Sequence, residues 1–259
     1  MNDLYFGGYL VKDKHSVQPK VALITGAAHR VGAAIVELLH TNGMNIALHY
    51  RNSFTVAKAT QERLNCLRPN SVILLKADLS DIQALPDIVN QAAAEWGHLD
   101  LLVNNASSFY PSPIGSVDEL QWDDLLASNL KAPFFLAQAA QKFLANKHGS
   151  IINIVDIHAD RPLKNHTVYC VAKAGLVMLT KSLAREFGDD IRVNAIAPGA
   201  IMWPLDITED LKSEIISRTA LKRKGEPLDI AKAVLYLVEN ADYMTGQVLT
   251  IDGGRSLNS

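Results

Sequence analysis

Residues 151–175 read IINIVDIHADRPLKNHTVYCVAKAG, and their pattern changes once along the way. Ile151, Ile152, Ile154 and Val155 form a short β-branched run behind the turn pair Gly149-Ser150, as a buried strand does. From Val168 to Leu183 small and apolar residues continue as a helix. Tyr169 and Lys173 lie four residues apart, which stacks both side chains on one helical face. A buried strand therefore feeds a helix that carries a phenol beside an ammonium at its head, with Asp156 at the strand end.

Outward from this unit the same alternation repeats. Toward the N-terminus, strands are expected at residues 20–26, 44–49, 71–76 and 99–103, and helices at 30–40, 53–67 and 80–96. Ser53 is placed to cap its helix, and Pro86 to interrupt the next. Two further helices, 117–130 and 133–146, lead into the central strand. Beyond it come a strand at 191–196, a loop at 198–204, a helix at 228–238 and a last strand at 247–251. The strands are continuously apolar rather than alternating, which is the pattern of a parallel sheet covered on both faces. No repeat or linker divides the chain. The expectation is an α/β fold: one doubly wound, Rossmann-type parallel sheet over residues 20–259, behind a partly ordered lead-in at 1–19.

Composition narrows the partners. A net charge of −2 gives no electrostatic case for nucleic acid or an anionic membrane. No apolar run approaches the roughly 18 residues needed to span a bilayer, and the first 20 residues lack the order of a signal peptide. The two cysteines, Cys66 and Cys170, offer neither metal spacing nor a disulfide framework, which suits a reducing cytoplasm. His15, His98, His148, His158 and His166 show no metal-ligand spacing and read as surface or loop residues. Asp118, Glu119, Asp123 and Asp124 read as the solvated start of a helix.

In doubly wound sheets ligands bind outside the carboxyl ends of the strands. Gly26, His49, Asp78, Asn104, Asp156 and Pro198 each close an expected strand, so one binding edge accounts for all six. The first strand runs into Thr25-Gly26-Ala27-Ala28-His29-Arg30-Val31-Gly32, whose small residues let the backbone approach a pyrophosphate at a helix N-terminus.

These marks together resemble the short-chain dehydrogenase/reductase family: the T-G-x-x-x-x-x-G turn, Asp78-Leu79, Asn104-Asn105-Ala106, Asn129, Tyr169-x-x-x-Lys173 and Pro198-Gly199. The resemblance runs from about Lys20 to the C-terminus. It implies that Tyr169 donates a proton, that Lys173 binds the nicotinamide ribose and lowers the tyrosine pKa, and that Asn129 holds a water relay. It also implies that Gly26, Arg30, Val31, Gly32, Asp78, Leu79, Asn105, Ala106, Ser107, Tyr169, Lys173, Pro198, Gly199 and Ile201 surround the dinucleotide. A homotetramer through the helices at Pro133 and Val168 is implied likewise.

Two departures refine the resemblance. Ordinary members carry glycine where this chain has Arg30 and serine where it has Asp156. Those residues, with Leu48-His49-Tyr50 and the loop Asn104-NASSFYPSP, look like the pteridine reductases of that family. In them an aspartate and a tyrosine spaced like Asp156 and Tyr169 serve the reaction, and the phenylalanine matching Phe109 stacks on the pterin ring. There the residues matching Ser107 and Arg30 contact cofactor phosphate and substrate. Their tail reaches a neighbouring subunit's site with an arginine near its end, whereas this chain ends Arg255-Ser-Leu-Asn-Ser259.

The chemistry of Asp156 agrees. A ketone reductase wants a hydroxyl aimed at the substrate oxygen, where a carboxylate would repel the developing oxyanion. A dihydropterin takes hydride on carbon of a C=N bond and a proton on nitrogen, which an Asp-Tyr pair can deliver. At an effective dielectric near 20, an ammonium about 4 Å from Tyr169 would favour phenolate by about 4 kcal/mol, roughly 3 pKa units. A carboxylate at similar range would cancel much of that and keep the phenol a donor. The cofactor follows from the second strand: residues 44–61 contain no acid to hold a ribose 2′-hydroxyl. His49, Tyr50, Arg51 and Ser53 offer donors for a 2′-phosphate, so the expectation is NADPH. The expected activity is NADPH-dependent dihydropterin reduction, with 3-oxoacyl or other carbonyl reduction as the rival enzyme reading and a dinucleotide-sensing binding protein as the non-enzyme one.

Overall fold

The computed structural model describes residues 4–6, 9–11, 18–203 and 208–257. A small antiparallel ribbon, β1 (Leu4–Phe6) with β2 (Tyr9–Val11), comes first. Most of the remaining lead-in, His15 included, lies outside the described residues, as does the end of the expected 198–204 loop.

β3 (Val21–Ile24) shows why the rest folds as a layered sheet. Val21 and Leu23 pack with Leu85, Leu136 and Leu144, whereas Ala22 and Ile24 pack with Ile35, Leu39 and Val234. Alternate residues thus serve opposite covers, and a strand apolar on both faces can lie only between helices. β3 pairs in parallel with β4 (Asn45–Tyr50) and β6 (Leu101–Asn104). β5 (Val72–Lys76) extends one edge; β7 (Ser150–Ile154), β8 (Arg192–Pro198) and β9 (Val248–Ile251) extend the other. The order β5-β4-β3-β6-β7-β8-β9 makes a seven-stranded parallel sheet of Rossmann type. α1 (Arg30–Thr41) and α8 (Pro227–Glu239) cover one face, while α3 (Leu85–Trp96) and α5 (Ala132–Ala145) cover the other. Chain direction across the sheet reverses between β3 and β6, which opens a crevice at their carboxyl ends.

Several local expectations change. Ser53 precedes α2 (Phe54–Leu67) but makes no side-chain cap hydrogen bond. Pro86 does not interrupt a helix: it sits in the first turn of α3, where its missing N–H is harmless, behind a 3-10 turn at Ile82–Ala84 capped by Asp81. The helices expected at 117–130 and 133–146 are instead joined without a break. α4 (Glu119–Leu126) passes into α5 through a π turn, Ala127–Lys131, which holds Asn129. Asp118 forms a capping box with Gln121 at the start of α4. α7 (Glu209–Arg218), capped by Thr208, is a helix the sequence reading did not anticipate.

α6 (Thr167–Phe187) follows β7 and runs 21 residues. By length and composition alone it could cross a membrane, which corrects the expectation that no segment approaches that size. Its apolar residues have another use here. Val168, Leu176 and Leu183 pack into the core, and a buried Lys173 lies among them.

Candidate active site

A cleft of about 1310 Å³ lies along the carboxyl ends of β3, β4, β6 and β7. Its floor begins with the glycine turn after β3. Gly26 has φ +59°, and a Cβ there would stand 2.8 Å from Ala106 Cα. A Cβ on Gly32 would meet the Gly26 carbonyl at 2.5 Å and Asn105 Nδ2 at 2.7 Å. Asn105 Nδ2 donates to the carbonyls of Thr25 (2.8 Å) and Gly26 (3.1 Å), which ties the turn to the end of β6. His29, the residue before α1, provides no side-chain cap, and no acid occupies the first turn. The helix thus presents its N-terminal N–H groups and positive dipole end to the cleft, as a pyrophosphate requires. Arg30 adopts φ +53°, a left-handed conformation that costs a non-glycine residue about 1–2 kcal/mol. Its guanidinium chain stands exposed on the cleft wall.

His49 is not the phosphate donor expected from sequence. It is 2% exposed, with Nδ1 accepting from Gly26 N–H at 3.1 Å and Nε2 facing the Ala77 carbonyl at 3.2 Å. Its own carbonyl takes Ala27 N–H at 2.9 Å. The ring therefore braces the glycine turn against the end of β5. Burial lowers its pKa to about 4, with Ala77 and Asp78 pulling the other way, so it is neutral at pH 7. The folded pKa lies below the ordinary 6.5, so the unfolded chain binds the proton first as pH falls. The neutral ring's contribution is complete above about pH 6.5 and is lost on descent through pH 4, at most about 3 kcal/mol. Urea unfolding at pH 7 and pH 4.5 should show wild type losing more stability than His49→Gln; equal losses would remove His49 from that role. Arg51, exposed and 4.0 Å from Asp78, lines the cleft together with Tyr50 and Ser53.

Deeper in, β7 and α6 bring their polar residues together. Asp156 caps the 3-10 turn Ile157–Ala159 through His158 N–H (2.8 Å), and its other oxygen accepts the Tyr169 hydroxyl at 2.8 Å. Burial, then the Asp156 charge and its hydrogen bond, hold the Tyr169 pKa well above 10, with Ser107 pulling the other way. Lys173, 2% exposed, gives its ammonium to the Ile154 carbonyl at 2.9 Å and lies 5.7 Å from the centre of the Tyr169 ring. Burial lowers its pKa to about 8, against the raising influence of Asp156. The expected downward pull of Lys173 on the phenol is therefore overridden: a carboxylate at hydrogen-bond range and a dry site outweigh an ammonium turned toward a backbone carbonyl. The phenol is protonated at neutral pH.

Asn129, fully buried in the π turn, uses Nδ2 on the carbonyls of Ser108 (2.8 Å) and Leu125 (2.9 Å). Its Oδ1 accepts the Ser107 hydroxyl at 2.7 Å. The ring of Phe109 stands edge-on to Tyr169 (centroids 4.8 Å, 79°) and stacks on His166 at 4.7 Å, with 46% of the residue exposed. Asp78, Leu79, Ala106, Ser107, Val31, Pro198, Gly199 and Ile201 line the same cleft.

The matched span in known proteins is as long as the sheet itself. A family model described as enoyl-(acyl carrier protein) reductase matches residues 26–256. Pteridine reductase 1 of Leishmania tarentolae is 34% identical, over 92% of this chain and 96% of that protein. The chain is a short-chain dehydrogenase/reductase. The 3-oxoacyl-[acyl-carrier-protein] reductase FabG of Staphylococcus epidermidis is 33% identical over 91% of this chain and 98% of its own. Nodulation protein G of Azospirillum brasilense is 35% identical over 91% and 97%. The short-chain reductase fold thus carries here an oxidoreductase site for a nicotinamide dinucleotide.

Within this oxidoreductase the sequence reading missed several contributors to the cleft. His166, taken for a loop residue, backs the Phe109 ring. Asp124, taken for solvated helix charge, accepts the Tyr110 hydroxyl at 2.9 Å and lines the cleft. Leu211, Glu214, Ile215 and Arg218 of α7 form an outer wall, and Arg255 of the C-terminal turn joins it. His98, also expected at the surface, is buried away from the cleft, 3.2 Å from Asp100.

Proposed function

We propose that this short-chain reductase converts dihydropterins, dihydrofolate among them, to their tetrahydro forms with NADPH. The Asp156–Tyr169 hydrogen bond, at the foot of a cleft walled by Phe109, carries the reading. A nicotinamide held in this cleft would supply hydride to carbon of the substrate C=N bond. Tyr169 hands its proton to the nitrogen of that bond, and the Asp156 carboxyl restores it from solvent. Lys173 holds the nicotinamide ribose, and Asn129 with Ser107 holds the loop that carries Phe109. Phe109 stacks on the ring, with His166 fixing its other face. Arg30, Arg51 and Ser53 take the 2′-phosphate edge, where β4 provides no acid.

Carbonyl reduction is the second reading, favoured by the likeness to 3-oxoacyl-[acyl-carrier-protein] reductase. It places a carboxylate where an oxyanion would develop, which weighs against it. A substrate panel decides: NADPH oxidation followed optically with dihydrobiopterin, dihydromonapterin, dihydrofolate and a 3-oxoacyl thioester. The expected result is turnover of the pterins, with kcat/KM for NADPH above NADH by roughly 10- to 150-fold, the worth of one charge-assisted hydrogen bond. Turnover of the thioester alone would replace the pterin reading, and equal use of both cofactors would remove the 2′-phosphate assignment. A cytoplasmic homotetramer packed through α5 and α6 belongs to the same proposal, supported by the exposed Phe134, Val171 and Met178.

A further inference from the structure

Arg255 is a cation of the cleft with no part in the chemistry proposed above. It opens the 3-10 turn Arg255–Leu257 directly after β9 and lines the same cleft as Asp156, Tyr169 and Phe109. Local hydrogen bonds place the turn. Asp252 accepts Gly254 N–H at 2.8 Å and Ser256 N–H at 2.7 Å, and Gly199 N–H bonds Ile251 at 3.0 Å. Gly254, at φ +77°, has no room for a Cβ, which would meet that of Ala220 at 2.8 Å. These contacts hold Arg255 at the cleft of its own chain.

The guanidinium itself is half-buried, and no hydrogen bond or ion pair joins it to any described residue. Its charged neighbours are Asp156, Asp252 and Arg218. None of them uses it: Asp252 is spent on the turn, Arg218 pairs with Glu214 at 2.7 Å, and both Asp156 oxygens already accept hydrogen bonds. A planar fork of donors is thus held, unspent, within electrostatic reach of the group that faces the reacting bond.

Building on the reductase reading above, we propose that Arg255 is a substrate-binding residue, donating from its own chain to an acceptor on the reacting part of the substrate. For a dihydropterin that acceptor is the oxo or nitrogen edge of the ring, within reach of Asp156. The ring is common to dihydrobiopterin and dihydrofolate, so the contact serves both.

The test compares wild type with Arg255→Ala and Arg255→Lys, following NADPH oxidation with each substrate and NADPH affinity by fluorescence. Arg255→Ala should raise KM for dihydrobiopterin and dihydrofolate alike, by roughly 10- to 150-fold, with NADPH affinity and circular dichroism unchanged. Arg255→Lys, which keeps the charge without the fork, should fall between. An unchanged KM, or a rise confined to dihydrofolate, would overturn the proposal, the latter by placing the guanidinium at the glutamate tail. If wild type reduces only the 3-oxoacyl thioester, the pterin reading fails by itself. Arg255 is then judged on that substrate: a raised KM keeps it as a substrate contact, and an unchanged one removes it.

Discussion

Tyr169→Phe is expected to lower kcat by roughly 10²- to 10⁴-fold, the usual worth of a positioned general acid. The phenol is buried, donates to Asp156 at 2.8 Å, and is held in its protonated form by burial and that carboxylate. On the proposed mechanism, removing the hydroxyl removes the proton delivered to the substrate. It removes little else. The phenylalanine ring keeps its edge against Phe109 and its place beside the Lys173 ammonium, and Asp156 keeps the His158 N–H. NADPH affinity and the unfolding midpoint should therefore stay close to wild type while kcat falls. Single-turnover rates with saturating dihydropterin make the measurement. A variant within about tenfold of wild type would show that proton delivery runs by another route.

Much of this site was legible because its signals are local. A β-branched run, a turn and a four-residue Tyr-Lys spacing can be read without knowing what packs where, and so can a glycine turn behind a buried strand. What escaped reading depends on tertiary placement. His49 closes a strand on the binding edge, as a donor would, but the pleat turns its ring inward onto Gly26 and Ala77. Asn129 sits in a π turn that no spacing rule announces, because Pro133 reads as a helix start although the helix runs through it. α7 has no buried residue and is rich in charge, so its apolar period is weak; it exists as a wall of the cleft. Arg255 lies in the final residues of the described chain, where only the Asp252 and Gly254 geometry shows that the tail turns inward. The protonated phenol is expected from the opposed charges of Asp156 and Lys173, but the weakness of the Lys173 effect was not legible. Distance along a helix gives proximity, but the Ile154 carbonyl decides where the ammonium points.

Asp156→Ser should lower kcat for dihydropterin by roughly 10²-fold or more and move the alkaline limb of the pH profile to lower pH. The fold should persist, because a serine hydroxyl can replace the carboxylate as the cap that accepts His158 N–H. The pH shift follows from the causes of two pKa values. Burial brings the Lys173 pKa down to about 8, and Asp156 is what opposes that fall. In wild type the ammonium is present below about pH 8 and is lost above it, so activity that needs it declines there. Without Asp156 the opposing influence is gone, the Lys173 pKa drops further, and the decline begins at lower pH. The same substitution removes the charge that, after burial, raises the Tyr169 pKa, so the phenol also becomes more acidic. Both changes act in one direction, narrowing the range in which a protonated phenol stands beside a charged lysine. Ketone reduction should respond oppositely in magnitude, since no carboxylate remains to repel an oxyanion. Profiles of kcat against pH for both proteins, with a dihydropterin and with a 3-oxoacyl thioester, separate the possibilities. Full dihydropterin activity in the serine variant, or an alkaline limb that does not move, would reduce Asp156 to a helix cap and leave the pterin reading without its chemistry.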